Sequence, residues 1–276
     1  MNLLKYIQSS IRFNGNFCIV GIDGPTASGK TTLADALTVA LVAKHIPVFV
    51  YRLDWTLLPR ESRLEQLDKY LNRQTAFEYE ADEHMNLDLA ADFLKKVEAY
   101  RFRNFSSEHI ELNGLYNRDD AGRCTGNAEV DLLPRLVIIV EGHYTHHPKL
   151  RRFFDLNYLL VASPAELLRR KIARVGSYRD ADRTTDYFNF VDRSSFRHYF
   201  VLNTAWFEHI FVNESFENQQ RIGYEKALTL FKQDTTPSSQ HEPKVPILGL
   251  IVDYHNRFVQ VWGIHPQYRD AGFEEN

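Results

Sequence analysis

Residues 24–31 read Gly-Pro-Thr-Ala-Ser-Gly-Lys-Thr, directly after the apolar run Phe17-Cys18-Ile19-Val20-Gly21-Ile22 and its exit Asp23, and just before a helix-like stretch from Thr31 to His45. Few local patterns restrict a fold so strongly. A strand, a loop of small residues and a helix, in that order, form the opening unit of a parallel α/β sheet. The loop brings successive backbone N–H groups to one point, and the helix aims its positive end at the same place. Such a unit implies a site for a nucleoside triphosphate. In it Gly24, Ala27, Ser28 and Gly29 line the cradle, Lys30 reaches the β- and γ-phosphates, Thr31 offers a hydroxyl to Mg2+, and Thr32 is a further phosphate contact. Leu33, Ala36, Leu37, Ala40 and Leu41 recur at helical spacing and predict the face that packs under the sheet.

At 276 residues and 44% hydrophobic content the chain can bury a sizeable core. Its net charge of −3 gives no global attraction to nucleic acid or anionic membrane, so the expected partner is a small molecule. Two cysteines, Cys18 and Cys124, offer neither a disulfide framework nor a metal-ligand spacing, which fits a reducing cytoplasm. Residues 1–10 lack the basic and apolar blocks of a leader, and no run approaches the length of a membrane span.

Residues 47–53 predict a second strand whose carboxyl end carries Asp54 and Trp55. Helical spacing predicts helices over 61–72 and 86–100, and the turn-rich stretch 109–134 predicts short extended pieces forming a projecting hairpin region. Leu136–Val140 has the composition of a strand buried on both faces and exits into Glu141-Gly142-His143-Tyr144. A buried strand is expected over 156–161, a helix starting at Ser163-Pro164-Ala165-Glu166, a helix over 186–200 and a last core strand over 209–212. The alternation predicts a doubly wound, mainly parallel sheet. Residues 1–232 read as one domain, 233–246 as a linker or loop, and 247–276 as a C-terminal extension carrying a β-hairpin. That extension fits a sheet edge or the subunit contact of a homo-oligomer equally well.

Taken in order, the P-loop, the strand ending in Asp54, the strand ending in Glu141-Gly142 and the arginine-bearing segment after Ser163 resemble the uridine kinase and phosphoribulokinase branch of P-loop kinases. The resemblance implies the P-loop kinase fold with an arginine lid. It also implies an ATP- and Mg2+-dependent phosphotransferase acting on a hydroxyl of a uridine- or cytidine-like nucleoside or a related small alcohol. Asp54 would serve the acceptor hydroxyl, the alternative being a capping aspartate. Glu141 would help retain hydrated Mg2+, the alternative being a glutamate leaving a strand for water. Arg170 and Arg174, one helical turn apart, would close over the phosphates, and Arg179, Arg183 and Arg193 lie further along.

Tyr79 and His84 are approximate equivalents of the family's acceptor segment, with Tyr144 a further pocket residue. Here the chain departs from the uridine kinase pattern, reading Asp54-Trp55-Thr56-Leu57-Leu58-Pro59-Arg60 and Phe77-Glu78-Tyr79-Glu80-Ala81-Asp82-Glu83-His84. Arg60 and Arg63 are expected to face water beside Glu61 and Glu65, the alternative being a phosphate or carboxylate on another acceptor. Ile22-Asp23-Gly24-Pro25 also resembles cytidylate kinases, which leaves a nucleotide kinase as one alternative and a nucleotide-binding regulator without transferase activity as another.

Overall fold

The computed structural model describes residues 2–65, 81–175, 181–203, 206–215 and 219–232. Its strands are β1 (Phe17–Asp23), β2 (Val48–Arg52), β3 (Glu108–Asn117), β4 (Arg123–Leu132), β5 (Leu136–Glu141), β6 (Leu156–Val161), β7 (His209–Val212) and β8 (Gln220–Ile222). Six of them form one sheet in the order β2-β5-β1-β6-β7-β8, parallel except for β8, which runs antiparallel to β7.

Side-chain alternation explains how the sheet is covered. Cys18, Val20 and Ile22 of β1 and Val137 and Ile139 of β5 join a core with Leu33, Ala34, Leu37 and Leu41 of the helix Lys30–Val42, and with Leu3 and Ile7 of the helix Leu3–Ser10. Phe17, Ile19, Leu136, Ile138 and Val140 point the other way, into a core with Leu87, Ala90, Phe93, Leu94 and Val97 of the helix Leu87–Tyr100. Burying one such aliphatic side chain is worth about 1.5–3 kcal/mol, and the apolar runs of β1 and β5 supply both faces at once.

Most expected elements are present, with instructive differences. Ala36 and Ala40 are only partly buried, and Ala34 takes the inward place on the P-loop helix. The stretch after 108 is not a set of short pieces: β3 and β4 are ten-residue strands paired antiparallel, with register shifts between Asn113 and Leu115 and between Leu115 and Asn117. The helix expected over 186–200 is built as Ala181–Tyr187, a π-helical turn Phe188–Asp192 and Arg193–Leu202. The helix Leu3–Ser10, strand β8 and the helix Tyr224–Lys232 were not anticipated. Residues 60–65 are helical; the remainder of the helix expected to 72, Tyr79, Arg179 and the whole of 233–276 lie outside the described residues. Among those described, no helix is long and apolar enough to cross a membrane.

Candidate active site

Three strand ends meet at the carboxyl edge of the sheet. β1 runs into the P-loop, β5 ends beside it in Glu141, and β2 ends at Arg52 in register with Glu141. The loop takes positive φ at Gly24, Ala27 and Gly29. A Cβ on Gly24 would sit 2.1 Å from the Leu160 carbonyl oxygen and 2.7 Å from Ser28 Oγ, so only glycine fits. Gly29 is the N-cap of the P-loop helix and makes no side-chain cap bond, which leaves the first N–H groups of that helix for an anion. Ser28 Oγ is fully buried and has no hydrogen-bond partner among the described residues. A buried hydroxyl left so costs about 1–3 kcal/mol, and a phosphate oxygen in the cradle would satisfy it.

Lys30 lies at the floor of this hollow and donates from Nζ to the Pro25 carbonyl oxygen at 2.9 Å. Burial pushes its pKa below the usual lysine value, the carboxylates of Glu141, Asp54 and Asp23 oppose that shift, and Arg174 adds to it. Thr31 Oγ1 donates to Glu141, 3.2 Å from Oε1 and 3.3 Å from Oε2. Burial pushes the Glu141 carboxyl up, Lys30 draws it down, Asp54 raises it, and Arg52 and the Thr31 bond lower it. Among the described residues no group of three or more His, Cys, Asp or Glu could enclose a metal ion. One hydroxyl beside one carboxylate therefore suits Mg2+ that keeps most of its shell as water and phosphate oxygens.

Asp54 is presented by a single turn of 3-10 helix, Leu53–Thr56. Leu53 and Thr56 are fully buried, and Thr56 Oγ1 donates to the Leu53 carbonyl oxygen at 2.8 Å. The Trp55 ring packs 5.4 Å from that of Tyr51, which stacks on Phe93 at 5.1 Å. With its neighbours anchored inward, Asp54 is left exposed. Gly142 lets the β5 exit pass close by, since a Cβ there would lie 2.6 Å from Leu53 Cβ. Asp54 and Glu141 thus lie close enough for each to act on the charge of Lys30.

The acceptor side is assembled less simply. The Leu58 N–H donates to the His84 carbonyl oxygen at 3.0 Å and the Asn86 N–H to that of Thr56 at 2.6 Å, which ties the His84 segment to the Asp54 turn. Burial and then Arg63 push the His84 imidazole down to about 3, so it is neutral at physiological pH. His143 is held well below the ordinary histidine value, by burial first and then by Lys30. Tyr144 is 5% exposed, its ring edge-on to Tyr199 at 4.8 Å, and so belongs to the core rather than to an open pocket wall. Arg63 does not simply face water: it donates to the Leu58 carbonyl oxygen and to Tyr116 Oη of β3, at 2.9 and 3.0 Å, bracing the hairpin. The Arg60 N–H donates to the Gly122 carbonyl oxygen in the hairpin turn.

Arg170 and Arg174 both reach the P-loop. Arg174 Nη2 lies 3.3 Å from Thr26 Oγ1. Arg170 is a strut: it donates to Glu166 Oε1 at 2.7 Å, to the Asn213 and Glu214 carbonyl oxygens at 2.7 and 3.0 Å, and to that of Ala27 at 3.5 Å. Asn213, unanticipated, also grips the loop, donating from Nδ2 to the Ser28 carbonyl oxygen at 2.8 Å.

Asp23 is another residue that sequence reasoning missed. It is wholly buried; Oδ1 accepts from the N–H groups of Gly24 (2.7 Å) and Tyr144 (3.2 Å), and Oδ2 from Tyr199 Oη (2.7 Å) and the His146 N–H (3.1 Å), with His146 Nδ1 at 3.0 Å. Burial opposes its ionisation, but the His146 and Tyr199 contacts outweigh that and hold its pKa at about 2. An aspartate before Gly-Pro reads as a turn residue; its partners come from segments remote in sequence.

The sequence model of the Phosphoribulokinase / Uridine kinase family matches residues 19–203. A search of curated proteins by sequence finds no significant match. Among solved structures, a possible uridine kinase from Bacillus stearothermophilus superimposes with a TM-score of 0.50 at 18% identity, covering 75% of this chain and 94% of that one. D-glycerate 3-kinase from Cryptococcus neoformans var. grubii superimposes with a TM-score of 0.52 at 12% identity, covering 79% of this chain and 95% of that one. At such identities the structures speak for the fold, and the family match spans more than half of the chain, including the P-loop, Asp54 and Glu141. The chain belongs to the phosphoribulokinase / uridine kinase family.

Proposed function

We propose that the protein is an ATP- and Mg2+-dependent kinase that transfers the γ-phosphoryl group to a hydroxyl of a nucleoside or a related small alcohol. The observation that carries this reading is the grouping of Lys30, the Thr31–Glu141 pair and exposed Asp54 at one edge of the sheet. Bound Mg-ATP supplies the phosphoryl group and a divalent charge on its oxygens. The P-loop N–H groups and Ser28 Oγ hold the phosphate oxygens, and Thr31 and Glu141 retain the hydrated cation. Lys30 leaves the Pro25 carbonyl and stabilises the charge that gathers on the departing γ-phosphoryl oxygens. Asp54 orients the acceptor hydroxyl and takes its proton as the new P–O bond forms and the bond from the γ-phosphorus to the β–γ bridging oxygen breaks, releasing ADP. Arg174 neutralises phosphate charge from the lid side. His84 and the segment around it are proposed to contact the acceptor, as is Tyr79 of the adjoining segment.

A regulator has no use for a carboxylate aimed at an acceptor, which favours the enzyme reading. The test is ADP release from Mg-ATP against a panel of nucleosides, nucleoside monophosphates, sugars, sugar phosphates and small hydroxy acids, the last because one structural neighbour is a glycerate kinase. Turnover with one class, lost by at least about 100-fold in Lys30→Ala, supports the proposal. ATP binding with no acceptor-dependent ADP release from any of them counts against it.

A further inference from the structure

We propose that Arg52 is a positioning residue for the metal-retaining carboxylate, an assignment that rests on Glu141 having that role. Arg52 ends β2 directly in register with Glu141 at the end of β5. Its guanidinium joins two acids from different elements: Nη1 lies 3.3 Å from Glu141 Oε1, and Nη2 lies 3.1 Å from Asp35 Oδ1 in the second turn of the P-loop helix. Thr31 Oγ1 meets the same carboxylate from that helix's first turn. Glu141 is therefore held by an arginine fork and by a hydroxyl, and the fork is itself anchored to the element that carries Lys30 and Thr31.

Stability alone is a poor reason for this arrangement. The Arg52 side chain is 36% exposed and that of Asp35 56%, and a pair so placed contributes about 1 kcal/mol or less; only the Glu141 end of the arrangement, 7% exposed, is buried. What a planar fork provides is geometry: it holds two carboxylates at fixed angles to one another, whereas the donors of a lysine ammonium rotate freely. With Oε1 engaged by Arg52, the Glu141 side chain loses the freedom to swing away from the P-loop, and Oε2 stays beside the Thr31 hydroxyl. A cation near a metal also repels it. The two effects have opposite signs, and the proposal is that orientation outweighs repulsion, so that loss of Arg52 weakens metal binding.

The experiment uses the full chain saturated with ADP and titrated with Mg2+, with metal binding read from the rise in melting temperature, alongside calorimetric ADP affinity in the presence of chelator. Arg52→Met is expected to need at least about tenfold more Mg2+ for the half-maximal rise. Arg52→Lys should recover part of the difference, and Asp35→Asn should shift the midpoint in the same direction by less. ADP affinity without metal should stay as in the wild type in all three. A midpoint in Arg52→Met that is unchanged or lower overturns the inference, as does an equal loss of metal-free ADP affinity, which would mark a general structural role. Glu141→Gln separates the two levels: if it shifts the midpoint and Arg52→Met does not, only the assignment of Arg52 fails, whereas no shift in Glu141→Gln removes its foundation. Should Arg52→Met not fold, Arg52→Lys and the helix-surface variant Asp35→Asn decide the matter by the same readout.

Discussion

Asp54 is the residue on which chemistry and binding are expected to separate. Its turn is held by Leu53, Trp55 and Thr56, not by its own carboxylate, so Asp54→Asn should leave the fold and ATP affinity within about twofold of the wild type. It should lower kcat by about 100-fold or more, the usual worth of a positioned base; steady-state kinetics beside an ATP titration checks both. Asp23 makes the opposite kind of contribution. Its folded pKa of about 2 lies below the ordinary 3.8, so the stabilisation it provides is complete above about pH 4 and is lost as pH falls through about 2. That amounts to roughly 2 kcal/mol. Urea unfolding followed between about pH 6 and pH 2 should show a shallower acid-side decline in Asp23→Asn than in the wild type, on a lower overall stability, because the donors of His146 and Tyr199 lose a charged acceptor.

Gly24 is where a single Cβ reaches a whole element. The P-loop is pressed against the Leu160 carbonyl of β6, so Gly24→Ala must displace the loop and cost about 2 kcal/mol or more. Calorimetry should find ATP binding lost and urea unfolding a lowered midpoint; normal binding would mean that the cradle tolerates the shift.

Elements that bury a full face were legible in the residues: β1, β5 and β6 as apolar runs, the P-loop helix and Leu87–Tyr100 as periodic stripes. The helix after Ser163 was legible from its cap, where Glu166 N–H lies 3.4 Å from Ser163 Oγ. Elements that depend on a neighbour were not. The helix Leu3–Ser10 shows its purpose only once Leu3 and Ile7 meet the sheet, and β8 is three residues that exist because β7 offers an edge. In the hairpin, Asn113-Gly114 and Thr125-Gly126-Asn127 resembled breaks, yet cross-strand pairing carries the chain through them. The site divides the same way. Lys30, Thr31, Glu141 and Asp54 announce themselves by motif and strand end, while Asp23, Arg52 and Asn213 acquire meaning from partners far along the chain.

At the scale of the molecule, the N-terminal helix is a test of how the sheet supports the site. Ile7 is fully buried against the β1 face, and Ile7→Ala should cost about 2–5 kcal/mol in urea unfolding. At a temperature where the variant remains folded its KM for ATP should match the wild type, since Ile7 lies in the core shared by β1 and the P-loop helix and not in the phosphate cradle. The strand order has a further consequence. Phe17 of β1 pairs with Leu136 of β5, and Val48 of β2 with Val137, so the middle of the sheet closes only after the intervening helices and hairpin have been synthesised. The P-loop itself is complete within the first few dozen residues, but the carboxylate beside it arrives much later. During synthesis residues 24–31 therefore precede Leu160 and Asn213, which brace them in the finished sheet, and long-range pairing of this kind is slow. On the proposed function, the segment that would hold nucleotide waits for the strand that carries Glu141, and gain of Mg2+-dependent nucleotide binding by a refolding chain is a natural clock for the moment at which the sheet is finished.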